Sequence, residues 1–206
     1  RSDHGRHRYA RQFCDVYQTV IDRESVMTRF VMVIDTRTCI GCGDCVVACK
    51  TENKVPDGLN RDWVVEATRG TYPDLKTEFR SERCNHCSNA TCVTLCPTGA
   101  SHHWNDSNIV LVEPEKCTGC KACIAACPYD ARLVMHPDGY VDKSTFCHHR
   151  VEKGLDPACV SSCPTRCMHF GSLDDPHSKV NHLLKTREYK VLKPETGNDP
   201  NVYYLI

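Results

Sequence analysis

The chain has 206 residues, enough for one large domain or two small ones, and 17 of them are cysteine, about 8%. Apolar residues make up 40%, and with the cysteines set aside roughly a third of the chain is left for a conventional core, so cross-links or bound metal are needed to hold it together. Lysine plus arginine equals aspartate plus glutamate at 26 each, which supplies no net basic field for nucleic acid or an acidic membrane surface, and the most apolar stretch, Phe30 to Ile34, is stopped by Asp35 far short of a membrane span.

Residues 1–26 are polar and rich in arginine and histidine, with a faint period only from Val16 to Ile21; they read as an arm, disordered alone or laid over a partner. Arg1 where an initiator methionine would stand suggests processing or partial ordering. From Arg29 the pattern predicts a strand over Phe30–Ile34, a cysteine loop, and a short helix from Asp44 to Thr51. The 34 residues from 50 to 83 are too many for a turn and predict an inserted hairpin, with a strand at Trp63–Val65, a turn over Gly70–Asp74 and an alternating strand at Leu75–Phe79. A second hairpin follows, Ala100–Trp104 and Ile109–Val112 flanking a turn at Asn105–Asn108. A strand over Arg132–His136 then meets a turn at Pro137–Gly139. The tail reads as a polar helix over Ser178–Lys185, capped near Asp175, and two strands, Tyr189–Leu192 and Val202–Leu205.

Fifteen of the cysteines fall into four groups. Cys39, Cys42, Cys45 and Cys49 form CxxCxxCxxxC; Cys117, Cys120, Cys123 and Cys127 repeat that spacing and are followed by Pro128. The second group, Cys84, Cys87, Cys92 and Cys96, widens one gap and ends in Pro97; the fourth, Cys147, Cys159 and Cys163, has three members and ends in Pro164. Disulfide frameworks need no short repeated intervals, zinc ribbons use pairs rather than triplets closed by CP, and no CxxCH occurs to attach a c-type haem. The spacing is that of the bacterial ferredoxin run, in which three thiolates wrap one cluster while the fourth cysteine, starting a helix, points to its neighbour. Gly41, Gly43 and Gly119 sit between ligands, where the missing side chain lets backbone amides turn toward the inorganic sulfides.

The four runs therefore predict an α+β fold of two ferredoxin-like units, one nested in the other: an outer unit over 27–79 with 141–206, carrying groups one and four, and an inner unit over 80–140, carrying groups two and three. The crossing rule gives the ligand sets Cys39, Cys42, Cys45 with Cys163; Cys84, Cys87, Cys92 with Cys127; Cys117, Cys120, Cys123 with Cys96; and Cys49, Cys147, Cys159. Cys14 and Cys167 stand outside these sets and read as free thiols.

From Met27 onward the chain resembles the four-cluster iron-sulfur subunit of membrane-linked molybdopterin oxidoreductases, polysulfide reductase and its relatives among them. The segments that carry the likeness are CIGCGDCVVACKTEN at 39–53, CNHCSNATCVTLCPTGA at 84–100, CTGCKACIAACPYDAR at 117–132, STFCHHRVEKGLDPACVSSCPT at 144–165 and FGSLDDP at 170–176. In that family the fourth group usually begins with a cysteine where this chain has Ser144. Three thiolates suit a three-iron cluster; the alternatives are ligation by the Ser144 hydroxyl or recruitment of Cys167. The resemblance thus implies three [4Fe-4S] clusters and one [3Fe-4S] cluster, a composition found in the menaquinone reductase complex and alternative complex III branch of the family.

No nucleophile–base pair, phosphate-cradling glycine loop or isolated acid pair is present, so substrate chemistry is not expected of the chain itself. The resemblance implies an electron-transfer subunit that links a peripheral molybdopterin-type or cytochrome-bearing subunit to a multi-helix, quinone-binding membrane subunit, held on the periplasmic face of the cytoplasmic membrane in anaerobic respiration. The competing reading is a freestanding polyferredoxin shuttling between soluble enzymes; the arm, the insertion and the long tail favour a docked subunit, since a diffusing carrier needs little surface beyond its clusters.

Overall fold

The structure, a computed structural model, describes residues 28–206. The arm expected over 1–26, with Cys14, lies outside the described residues. Alternation in Phe30–Asp35 (β1) builds the centre of a four-stranded sheet, because each successive side chain points to the opposite face and both faces are covered. Its neighbours come from the other end of the chain: Met168–Ser172 (β8) runs antiparallel to it, Val202–Leu205 (β10) runs parallel, and Tyr189–Lys190 (β9) pairs with β10 at the edge. Met32 and Ile34 face the cysteine-bearing half of the molecule with Val202, Tyr204 and Phe146, while Val31 and Val33 pack with Leu205 and Val180 beneath the helix Lys179–Thr186 (α6). Full burial of each such side chain contributes about 1.5–3 kcal/mol.

The remaining strands form three two-stranded ribbons. Asp62–Arg69 (β2) and Lys76–Arg83 (β3) make the inserted hairpin, Ser101–His103 (β4) and Val110–Val112 (β5) the second, and Leu133–Val134 (β6) with Val141–Asp142 (β7) a third. Short helices carry or directly follow cysteines between them: Asp44–Glu52 (α1), Thr91–Thr94 (α2), Ala122–Ala125 (α3), His148–Val151 (α4, just after Cys147) and Ala158–Ser162 (α5). α6 is capped by Ser178, whose hydroxyl accepts from the Asn181 amide at 3.2 Å, and not by Asp175; Asp175 instead accepts from the amide of His177. The expected strand at Leu75–Phe79 begins one residue later and continues to Arg83, delivering the chain directly into Cys84. Strands β7 and β8 lack a readable alternation, because Asp142 and His169 lie within them.

Candidate iron-sulfur sites

The first cysteine loop closes on α1, and the helix begins at Asp44, so it holds the third cysteine as well as the fourth rather than starting at the fourth. Cys45 and Cys49 are four residues apart, one turn along the same face, and the rise of about 6 Å separates the sites they serve. Gly43 caps α1 with φ 76° and Lys121 caps α3 with φ 62°, the same left-handed conformation at the matching position of the two repeats. At Gly41 the backbone also turns left-handed, φ 70°, and a Cβ there would stand 2.4 Å from the Phe79 ring, so the hairpin packs on the loop only because no side chain intervenes.

Three sets of thiols each line one cavity. Cys39, Cys42, Cys45 and Cys163 meet around the first, Cys84, Cys87, Cys92 and Cys127 around the second, and Cys96, Cys117, Cys120 and Cys123 around the third. Among the described residues no three histidine, cysteine or acidic side chains converge tightly enough to hold a single ion; the thiols stand apart around the walls, as ligands of a polynuclear cluster do. The donor set is soft, and hydrogen-bond donors already aim at sulfur: the amide of Ser101 at Cys96 (3.3 Å), the amide of Val141 at Cys117 (3.5 Å) and Arg132 Nη2 at Cys92 (2.8 Å). These residues fit iron-sulfur clusters.

Burial pushes the thiols of Cys45, Cys49, Cys87, Cys123 and Cys127 up, and that of Cys159 up to about 12. A buried thiolate needs a positive partner, which bound iron supplies when it displaces the proton. Cys39 goes the other way, held at about 6 chiefly by a hydrogen bond from Cys167. The Cys167 sulfur also lies 3.5 Å from that of Cys163 and lines the first cavity with it.

The fourth set is built differently. Cys49 and Cys147 are both approached by Asn53 Nδ2 at 3.7 Å, and Cys159 accepts from Arg83 Nη1 at 3.0 Å. Arg83 and Asp62 face each other at the base of the inserted hairpin, both 1% exposed, their charges 3.1 Å apart. Burial raises the Asp62 carboxyl against the pull of Arg83, with Cys49 and Ser144 close enough to contribute, yet neither carboxylate oxygen takes part in a well-formed hydrogen bond. Ser144 is buried beside them. Three thiols, a buried carboxylate and a buried hydroxyl are gathered here. Sequence reasoning missed Asp62 and Arg83: Arg83 directly precedes Cys84, but nothing local sets the hairpin register that puts it opposite Asp62.

Two further buried cations went unread. Arg132 lies at both the second and third cavities, and its Nη2 also reaches Ser101 Oγ at 2.8 Å. Lys143 is fully enclosed, donating to the carbonyls of Val110 and Ser144. His86, equally buried, accepts from the Val110 amide at 3.0 Å and stacks on Phe146 with ring centroids 3.8 Å apart.

Comparison with known proteins agrees with this chemistry. The profile of a 4Fe-4S dicluster domain matches residues 38–100, and that of a second such domain matches residues 75–173. The chain is 36% identical to the arsenate respiratory reductase iron-sulfur subunit ArrB of Shewanella sp. strain ANA-3, over 86% of this chain and 96% of that protein. It is 43% identical to a subunit of the tetrathionate reductase of Salmonella typhimurium, over 86% of this chain and 72% of that one, and 42% identical to the protein NrfC of Escherichia coli, over 85% of this chain and 79% of that one. With three thiol-lined cavities and relatives matched over most of their length, the chain belongs to the 4Fe-4S dicluster family of iron-sulfur electron-transfer subunits of the molybdopterin oxidoreductases.

Proposed function

We infer that this chain is the electron relay of a membrane-bound respiratory complex, passing electrons between a peripheral molybdopterin-type or cytochrome-bearing subunit and a multi-helix membrane subunit that handles quinone, on the periplasmic face of the cytoplasmic membrane. The observation that carries the reading is the series of sites in one small chain: three cavities each lined by four or more thiols, and a fourth site with three. A catalyst needs one such centre, whereas a relay needs several in succession. Cys39, Cys42, Cys45 and Cys163, then Cys84, Cys87, Cys92 and Cys127, then Cys117, Cys120, Cys123 and Cys96 are read as ligands of three [4Fe-4S] clusters, and Cys49, Cys147 and Cys159 as ligands of a [3Fe-4S] cluster. Each cluster, when bound, takes up and returns one electron.

The protein's contribution is spacing, insulation and charge. Arg132 and Lys143 place buried positive charge among the thiols, and β1 is held between two tail strands, β8 and β10. Cys42 and Cys120 reach the surface, and Ile40 and Val47 beside the first cavity are 59% and 63% exposed, an apolar rim suited to a dry contact with a redox partner. Relatives named for arsenate and tetrathionate reductases support a reductase-type partner. No helix of the described residues is long and apolar enough to cross a membrane, and the attachment proposed runs through the membrane subunit. Purification from the native membrane in mild detergent is expected to bring down a multi-helix subunit and a larger redox subunit. Recovery as a soluble monomer from gently lysed cells would overturn the reading in favour of a freestanding polyferredoxin.

A further inference from the structure

We propose that the Asp62 carboxylate is the protein ligand for a fourth, exchangeable divalent metal at the Cys49–Cys147–Cys159 site, a role the serine at 144 does not fill. The inference rests on the three-iron reading of that site given above. A buried ion pair ordinarily has its remaining lone pairs and protons satisfied, since the desolvation of two charges is otherwise uncompensated. Here Asp62 Oδ1 and Oδ2 and Arg83 Nε are all buried without a hydrogen-bond partner, and Asp62 and Arg83 are each 1% exposed. The ion pair sits among three thiols: the Asp62 carboxyl lies within range of Cys49 and Ser144, and the Arg83 guanidinium donates to Cys159. A pair built only to hold the hairpin base together has no need of a carboxyl group beside a cysteine thiol with Oδ1 left without a partner.

The choice between the two oxygens is chemical. A serine hydroxyl must lose a proton of very high pKa to bind a metal as an anion, whereas a carboxylate is a ready anionic ligand. Three sulfur donors and one carboxylate make a borderline set, suited to Fe²⁺, Co²⁺ or Zn²⁺ and poorly to Mg²⁺ or Ca²⁺. A hard oxygen at a soft centre holds its metal less tightly than a thiolate would, which makes this metal exchangeable where those of the other three sites are not. Capture by the reduced cluster is a ligand exchange: the incoming aquo ion sheds its waters, three sulfides of the cluster and one Asp62 oxygen take their places, the contact between Asp62 and Arg83 opens, and no electron moves in that step. Arg83 keeps Cys159 as its partner, so the guanidinium is not left unpaired.

The test uses the full chain with its clusters, purified without oxygen. After mild oxidation the three-iron cluster gives a paramagnetic signal of about one spin per protein. The sample is reduced with dithionite, given excess Fe²⁺ or Zn²⁺, desalted and reoxidised. The unmodified protein is expected to lose that signal and retain one added metal per chain. Asp62→Asn is expected to recover the signal undiminished with at least tenfold less metal retained, and Ser144→Ala to behave as the unmodified protein does. Capture by Asp62→Asn, loss of capture in Ser144→Ala, or, where the three-iron signal is present, no capture by the unmodified protein would each overturn the proposal. If Asp62→Asn fails to hold its clusters, Asp62→Asn/Arg83→Gln carries the same readout, and X-ray absorption at the edge of captured zinc in unmodified and Ser144→Ala protein gives the answer without altering Asp62: one oxygen among sulfurs supports it, sulfur alone overturns it. Should the unmodified protein show no three-iron signal and full iron at this site, the three-iron reading fails separately. The carboxylate assignment then stands if Asp62→Asn exposes the signal and falls if it does not.

Discussion

Arg132 donates to the Cys92 sulfur at 2.8 Å and lies at two thiol-lined cavities at once. A cation beside a cluster favours the electron-rich state, and a charge-assisted hydrogen bond contributes about 1.5–3 kcal/mol. If that whole energy discriminated between oxidation states it would amount to about 60–130 mV for one electron, an upper bound because part is felt equally by both. Arg132→Met is therefore expected to lower the potentials associated with the Cys84 and Cys117 sets by tens of millivolts and leave the Cys39 set unmoved, as read by a potentiometric titration followed by paramagnetic resonance. Equal shifts at all sites would mean that the arginine acts through the fold instead. The cysteines themselves were legible because metal ligation is written in short intervals. Arg132 and Lys143 were not, because a cation in a polar stretch carries no sign of whether it will be enclosed.

The inserted hairpin shows where local pattern ends and register begins. Its turn and strands follow from Gly70, Pro73 and the alternation around Phe79, but only the pairing of Asp62 with Arg83, Val64 with Ser81 and Glu66 with Phe79 determines which side chains reach the cysteine sites. Val64 and Ser81 line the first cavity, and the Ser81 hydroxyl lies 3.3 Å from the Cys45 sulfur. Phe79 covers Gly41. Gly41→Ala meets both a backbone penalty of about 1–2 kcal/mol for left-handed φ and a ring that must move. The expected result is loss of about four irons per chain, confined to the Cys39 set; full iron content would show that the hairpin yields without disturbing the loop. The strand Val202–Leu205 was equally readable alone, while its parallel pairing with β1 was not, since the partner lies some 170 positions away in the chain.

Across the whole molecule the sites join segments that sequence keeps far apart: Cys163 returns to the loop of Cys39, and Cys147 and Cys159 return to Cys49. With the thiols pushed up by burial, ligand binding and folding are one equilibrium, and removing the metal leaves cavities lined by groups that pair poorly with one another. Chelation under reducing conditions is expected to abolish cooperative melting and most strand signal in far-ultraviolet circular dichroism, with recovery on reconstitution. Retention of a sharp transition would show that the sheet around β1 stands by itself. The dicluster character of the chain was legible from the fourfold repeat of cysteine groups; the sheet that ties tail to head was not, because β8 has five residues and no period to read, and the tail strands carry no sign of which distant strand they join.

The helix α1 carries Cys45 and Cys49 to two different sites one turn apart. Tunnelling falls off steeply with distance, so a relay works as reliably as its spacers resist stretching. Here the spacer is a single turn clamped by backbone hydrogen bonds, and Asn53 ties its end to both Cys49 and Cys147. The step between these two sites should keep the same rate whether the protein is free or seated against its partners, leaving the outer contacts, and not the interior, as the places where assembly can throttle the current.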